Sequence, residues 1–112
     1  MKLTISYDQF DCLDIRVGRV TAVEVPTWSP KLLELTIDLG AELGQRTIFA
    51  AIQKWFNSAD LKNHQYLFLT NIAERKMGEG VSQGMMLMAV TSDQEPILCP
   101  VPDAIAPGTV IR

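Results

Sequence analysis

The sequence predicts an all-β fold, a small five-stranded barrel that fills a single domain over residues 1–112. The chain has 112 residues, of which 47% are apolar and 21% charged, which suits one globular domain. Residues 33 to 39 alternate strictly between apolar and polar side chains, as in a half-buried strand. Four further apolar stretches are separated by turn-forming residues. The five predicted strands are Leu13–Val25, Leu33–Leu39, Thr47–Ile52, Gln65–Ile72 and Gly84–Val90.

A short helix is predicted ahead of the first strand, over Tyr7–Cys12. Ser6 and Gln9 have the S-x-x-Q spacing of a capping box, and Ile5 and Phe10 are placed to form a hydrophobic staple across it. In the first strand, apolar residues change from odd to even positions near Gly18. We therefore predict a bulge or bend at Gly18, with Arg16 and Arg19 pointing outward.

The connections between the strands complete the plan. Residues 26–30 form a proline-flanked loop, and Gly40–Gly44 is predicted to be a turn. Gln53–Asn63 is of mixed character, and Ser58 is a suitable N-cap for one helical turn. Five strands with a short helix between the third and fourth match the OB fold, although other small barrels also fit.

Two segments carry unusual composition. Ala73–Gln83 is polar, contains two glycines and is long for a hairpin loop, which is typical of a functional or mobile connection. It contains the cationic pair Arg75 and Lys76. The tail from Pro96 contains four prolines and is predicted to be extended and edge-like.

Charge and cysteine content restrict the function classes. The net charge of −3 argues against a nucleic-acid ligand unless the ten basic residues gather on one face. Cys12 and Cys99 lie among apolar residues and are expected to be reduced thiols in the core of a cytosolic protein. No apolar run reaches the roughly 20 residues of a membrane span, and the start lacks a signal-peptide core. A cytoplasmic location is therefore expected.

Catalytic patterns are absent from the sequence. His64 is the single histidine, and neither a nucleophile elbow nor a phosphate-binding glycine loop is present. We expect no enzyme activity, no metal and no cofactor. Trp28 stands in a loop, where stacking on a base and simple packing are equally plausible, whereas core packing is favoured for Trp55 and Phe56. The methionines at 77, 85, 86 and 88 are expected to be mostly core, with one or two able to adapt to a partner.

Four stretches resemble a known family. Phe10–Val20 resembles the F-x-x-L-D-I-R-V-G-x-I opening of the tRNA-binding domain family, and Ser29–Leu35 resembles its A-D-K-L-L-x-L motif. Asn71–Met85 resembles the N-L-x-P-R-K-M…S-x-G-M signature, and Pro107-Gly108 matches a terminal P-G. The family includes the C-terminal domain of bacterial methionyl-tRNA synthetase, free-standing tRNA-binding proteins, EMAP II-like domains and CsaA chaperones.

This resemblance implies an OB-fold barrel with a short N-terminal helix and an extended Pro-rich C-terminal segment. It also implies a non-catalytic module that binds tRNA by shape and backbone, and a homodimer with the chain termini near the interface. Arg75 and Lys76 would pair with phosphates, Asn71 and Ser82 would hydrogen-bond or hold the loop, and Met85 would pack at the surface. The candidate RNA contacts are Arg16, Lys31, Asn71, Arg75, Lys76, Ser82 and Met85.

The chain departs from the family pattern near the expected site. Glu74 replaces the proline before Arg75, Gly78-Glu79 follows Met77 where an arginine is usual, and Ala50-Ala51-Ile52 replaces S-G-I. These changes remove positive charge and favour an alternative, a CsaA-like chaperone that binds exposed peptide segments of preproteins. A third alternative is a member that acts through protein partners alone. An aminoacyl-tRNA synthetase and unfolded peptide are therefore further candidate partners.

Overall fold

The computed structural model describes the whole chain, Met1–Arg112, and consists of antiparallel strands with three very short helices. The capping box of α1 is confirmed, since Gln9 N donates to Ser6 Oγ and Ser6 N donates to Gln9 Oε1. In chain order the elements are α1 (Tyr7–Asp11), β1 (Ile15–Glu24), β2 (Leu33–Asp38), α2 (Gly40–Leu43), β3 (Gln45–Ala50), α3 (Ser58–Leu61), β4 (Gln65–Leu69), β5 (Arg75–Met77), β6 (Gly80–Ser82), β7 (Met85–Met86), β8 (Ala89–Val90), β9 (Pro96–Ile97) and β10 (Val110–Ile111).

The main sheet has the strand order β3-β2-β1-β4-β7, and β10 pairs with β1 as an additional strand. The sheet curls into a nearly closed barrel around an apolar core in which Leu35, Ile37, Ile48 and Phe68 are almost fully buried. The all-β barrel predicted from the sequence is therefore confirmed. Alternate residues of β2 are buried, as the strict alternation of its sequence predicts.

The bend predicted at Gly18 is wrong. The register of β1 against β4 runs without interruption from Ile15 to Arg19, and the irregularity lies between Val20 and Ala22. Gly18 is required for a different reason, because a Cβ there would lie 2.6 Å from Ile37 Cγ2 and 2.8 Å from Phe68 Cδ2. The position that a Gly18 side chain would occupy therefore lies in the barrel interior.

The barrel is closed by a mixture of side-chain and backbone hydrogen bonds rather than by a regular pair of strands. Ser82 Oγ accepts a hydrogen bond from Phe49 N at 3.0 Å and donates one to Gly84 O at 2.9 Å. Gln83 N donates to Thr47 O at 2.8 Å, and the Gln83 side chain accepts from Thr47 N at 2.9 Å. These bonds satisfy the free edge of β3 and join it to the chain that enters β7.

The segment predicted as a long loop, Ala73–Gln83, contains the hairpin of β5 and β6, which lies beside β3. Two glycines allow the hairpin to sit on aromatic rings. A Cβ at Gly80 would lie 2.3 Å from Phe49 Cζ, and one at Gly78 would lie 2.3 Å from Trp28 Cζ3. The hairpin is therefore seated on Trp28 and Phe49, whose ring centroids are 5.7 Å apart.

Several smaller expectations need correction. The stretch Gly84–Val90 is two short strands, β7 and β8, because β7 pairs with β4 and β8 pairs with β9 of the proline-rich tail. Gly40–Gly44 contains the one-turn helix α2, and Asn57 rather than Ser58 is the N-cap of α3. The tail is extended where it forms β9 and β10, as predicted.

The expected burial of the thiols is also wrong. Cys12 and Cys99 are both free cysteines, but both are exposed. Cys12 ends a helix that has no buried residue, and Cys99 follows the short strand β9 at the surface. Apolar neighbours in sequence therefore did not place either thiol in the core.

The three helices are all too short to span a bilayer.

We predict that Ser82→Ala lowers the free energy of unfolding by about 1–3 kcal/mol, because it leaves the buried amide of Phe49 without its acceptor. Thermal or urea unfolding measures the change. Ser92→Ala is the matched control, since Ser92 lies exposed in the β8–β9 turn and its loss should change stability by less than about 0.5 kcal/mol. Equal stability of the two variants would contradict the closure described above.

Candidate nucleic-acid interface

The β5–β6 hairpin presents two cations to solvent. Arg75 and Lys76 are exposed, and neither forms an ion pair, since the ion pairs of the structure involve only Arg16 and Arg19. Two acids, Glu74 and Glu79, flank them on the same hairpin. Glu74 Oε2 lies 3.4 Å from Gln83 Nε2 and accepts a hydrogen bond there. The free guanidinium and ammonium groups suit phosphate oxygens.

The loop between β1 and β2 reaches the tip of this hairpin. Trp28 contacts Gly78, and Lys31 lies three residues further along the loop with its side chain exposed. The Ser29 hydroxyl oxygen accepts from the amides of Lys31 and Leu32 at 3.2 and 3.3 Å, which fixes the end of the loop. Lys31 therefore lies on the loop that Trp28 joins to the tip of the hairpin carrying Arg75 and Lys76, and we call the surface of these three exposed residues the hairpin face. In OB barrels, the loop between the first and second barrel strands and the loop between the fourth and fifth are the usual ligand-binding loops.

Arg16 lies elsewhere and is engaged within the protein. Its position shares the inward side of β1 with Gly18 and Val20, because strand side chains alternate with a period of two. Its Nε lies 2.6 Å from Asp14 Oδ1, and its Nη1 lies 3.2 Å from both Glu42 Oε2 and Gly108 O. Hydrogen bonding to Asp14, and then to Glu42, raises the pKa of Arg16. With its side chain only 13% exposed, Arg16 ties the barrel end to α2 and the C-terminal segment rather than pointing outward.

The remaining candidates hold the framework together. The side-chain oxygen of Asn71 accepts from Asp14 N at 2.8 Å, and its amide nitrogen donates to Cys12 O at 2.6 Å. Asn71 therefore anchors the chain that follows α1. Ser82 is buried and closes the barrel, and Met85 is partly buried where β7 pairs with Leu69. Three of the seven candidates share the hairpin face, and four lie outside it.

Sequence reasoning did not single out Lys54 and favoured a core role for Trp55. The structure places both at an open cavity beside Lys31, with Lys54 Nζ 5.5 Å from the centroid of the Trp55 ring. Trp55 is exposed, whereas Phe56 packs against the core as expected. The sequence signal for this cavity was the basic Lys54 directly before the aromatic Trp55. The spacing of apolar residues does not distinguish an exposed pair of this kind from a buried one.

The hairpin face offers exposed cations that can bind anionic groups. The structure contains no cluster of three or more histidine, cysteine, aspartate or glutamate side chains that could hold a metal ion. His64 is exposed, and only its backbone groups form hydrogen bonds. Exposed cations over a rigid platform can attract and position an anionic polymer.

Comparison with known proteins identifies the family of the chain. Residues 15–110 match a family model described as "Putative tRNA binding domain". A methionine–tRNA ligase of Nitrosomonas eutropha is 34% identical over 109 residues, which cover 97% of this chain and 15% of the ligase. The chain therefore spans about one seventh of the length of this curated relative.

Two solved structures resemble the whole chain. A MetRS-related protein from Pyrococcus horikoshii superposes with a TM-score of 0.92 at 30% identity, and the match covers 100% of both chains. The chaperone CsaA from Bacillus anthracis superposes with a TM-score of 0.86 at 27% identity, covering 98% of this chain and 100% of that one. The match to the family model covers every strand of the barrel, from β1 to the start of β10. In fold and in sequence, the chain belongs to the tRNA-binding domain family.

Proposed function

We propose that this domain binds tRNA without catalysis, through the phosphate backbone and shape of the RNA. The observation that carries the proposal is the hairpin face, where Arg75 and Lys76 are exposed, free of ion pairs and held on a rigid aromatic seat. Lys31 extends the cationic surface onto the neighbouring loop. Phosphate contacts of this kind position an RNA without reading its sequence.

The other candidate contacts support this role indirectly. Ser82 and Asn71 hold the two ends of the segment that carries the hairpin, one through Phe49 and the other through Cys12 and Asp14. Arg16 stabilises the barrel end, and Met85 is partly buried where β7 pairs with β4. We propose direct RNA contact for Lys31, Arg75 and Lys76, and a positioning role for the rest.

We also propose that two copies associate through the chain termini. The helix α1 has no buried residue, and its Tyr7 and Phe10 are exposed. Leu3 before the helix and Leu13 after it are exposed as well. A helix of this length is not stable alone and needs a packing partner. A cavity of about 450 Å³ lies between α1 and β10, lined by Phe10, Leu13 and Val110 among others. A two-fold contact would bury this surface in both copies.

We further propose that a synthetase is a partner of this domain and that it acts in the cytoplasm. Methionine–tRNA ligases contain a segment similar to this chain, which supports the first proposal. A second candidate function is a CsaA-like chaperone that binds exposed peptide segments of preproteins. The likeness to CsaA over nearly the full length favours it, together with the acids Glu74 and Glu79 on the hairpin.

We predict that Arg75→Ala combined with Lys76→Ala weakens tRNA binding by about tenfold at low salt. The slope of log K against log salt should fall by about 1.4–1.8, because two phosphate contacts are lost. Fluorescence anisotropy with labelled tRNA at several salt concentrations measures both quantities. An unfolded peptide as competitor tests the chaperone alternative, since displacement of tRNA by peptide would favour it.

The control for this variant is Lys62→Glu, which removes the same two units of charge at an exposed position outside the hairpin. It should leave the salt slope nearly unchanged. If both variants lose affinity equally, net charge rather than the hairpin governs binding. If wild-type protein binds no tRNA at all, the proposed function is wrong.

For the dimer, we predict that Val110→Glu gives a monomer at micromolar concentration, because it places a charge in the shared apolar contact. Val90→Glu should remain a dimer, although Val90 is the more exposed of the two valines, at 60% against 42%. Sedimentation velocity distinguishes the species. A monomeric wild-type protein would disprove the proposed association.

A further inference from the structure

A second binding feature lies beside the hairpin face. An open cavity of about 520 Å³ is formed where the end of the β1–β2 loop meets the segment that follows β3. We call it the Trp55 cavity. Its volume is within the range of small-ligand sites. It is lined by Pro30, Lys31, Ala51, Gln53, Lys54 and Trp55.

Hydrogen bonds fix the shape of this cavity. Gln53 Nε2 donates to Ser29 O at 3.0 Å and to Leu32 O at 2.8 Å, and Gln53 N donates to Lys31 O at 3.1 Å. The turn that carries the aromatic ring is held by Trp55 N, which donates to Ile52 O at 3.0 Å. The walls are therefore set before any ligand arrives, which lowers the entropic cost of binding.

The exposed groups of the cavity are an indole ring and two ammonium groups. Trp55 is 38% exposed, while its neighbour Phe56 packs against the core, so the ring is not needed to fill the interior. Lys54 Nζ lies 5.5 Å from the ring centroid, and Lys31 forms another wall. Neither lysine forms an ion pair, and no acid lines the cavity, although the chain carries a net charge of −3.

We propose that the Trp55 cavity binds an unpaired nucleobase of RNA, which stacks on the Trp55 ring while Lys31 and Lys54 contact the adjoining phosphates. An aromatic platform flanked by cations is the arrangement that holds single-stranded nucleic acid. Lys31 belongs to both the Trp55 cavity and the hairpin face, so one RNA can occupy them together. The proposal rests on RNA being the ligand, and it adds base stacking to the backbone contacts of the hairpin.

The charges of the cavity favour a nucleotide over an apolar peptide side chain. Lys54 Nζ already lies over the Trp55 ring, but an apolar peptide side chain would leave both Lys31 and Lys54 without an anionic partner. A base joined to phosphates satisfies both the ring and the cations.

The test uses the full chain and a single-stranded hexamer of adenylate. We expect Trp55→Ala to weaken hexamer binding about fivefold to a hundredfold, the effect of removing one stacked base. Trp55→Phe keeps an aromatic face and should retain most of the affinity. The fluorescence of Trp55, obtained as the difference between the wild-type protein and Trp55→Phe, should be quenched by the hexamer but not by an abasic ribose-phosphate hexamer. Because Trp55 is 38% exposed, its truncation should lower the thermal unfolding midpoint only partly, and binding is measured at a temperature where both variants are folded.

Lysine variants provide an independent readout. Lys54→Gln should lower the salt dependence of hexamer binding, whereas Lys62→Gln, a matched exposed lysine elsewhere, should not. Unchanged hexamer affinity in Trp55→Ala would overturn the proposal, as would quenching of Trp55 by an unfolded peptide but not by the hexamer. Binding of intact tRNA by the same variants separates the two proposals. If tRNA binds through Arg75 and Lys76 while Trp55→Ala has no effect on the hexamer, only the Trp55 cavity is disproved.

Discussion

The architecture depends on how the free edge of β3 is satisfied. The sheet begins at β3 and ends at β7, and an unpaired edge would expose backbone groups that attract other chains. Ser82 and Gln83 supply the missing partners to Phe49 and Thr47 through a mixture of side-chain and backbone bonds. Because the chain must reach β3 at Ser82, the hairpin before it is forced to lie along the outside of β3.

Because of this constraint, the polar connection Ala73–Gln83 contains a hairpin that is held against β3. The hairpin rests on Trp28 and Phe49 at two positions where only glycine leaves enough room. Its cations are therefore displayed at a fixed place, beside the loop that carries Lys31. An overall acidic chain can still present a cationic surface in this way, since net charge describes the whole protein and local potential depends on placement.

The sequence alone predicted the all-β barrel, the capped helix and the alternating burial of β2. It misplaced Arg16, because a change of parity in the apolar pattern was interpreted as a bend at Gly18. Gly18 in fact faces the interior, where Ile37 and Phe68 leave no space for a side chain. Val17, on the opposite face of the strand, is fully buried as well, and the C-terminal segment bonds to its backbone at both N and O. A pattern within one strand does not reveal that a distant segment pairs along its edge.

Local order was thus determined by the sequence itself, because capping, alternation and turn residues act between neighbours in the chain. Tertiary structure decided which exposed side chains remain free. Arg16 and Arg75 are both arginines in family motifs, yet one is held by Asp14 and Glu42 and the other has no acidic partner. The Trp55 cavity likewise exists only where two separate loops are joined by Gln53. Such differences depend on contacts between residues far apart in sequence, which no local pattern encodes.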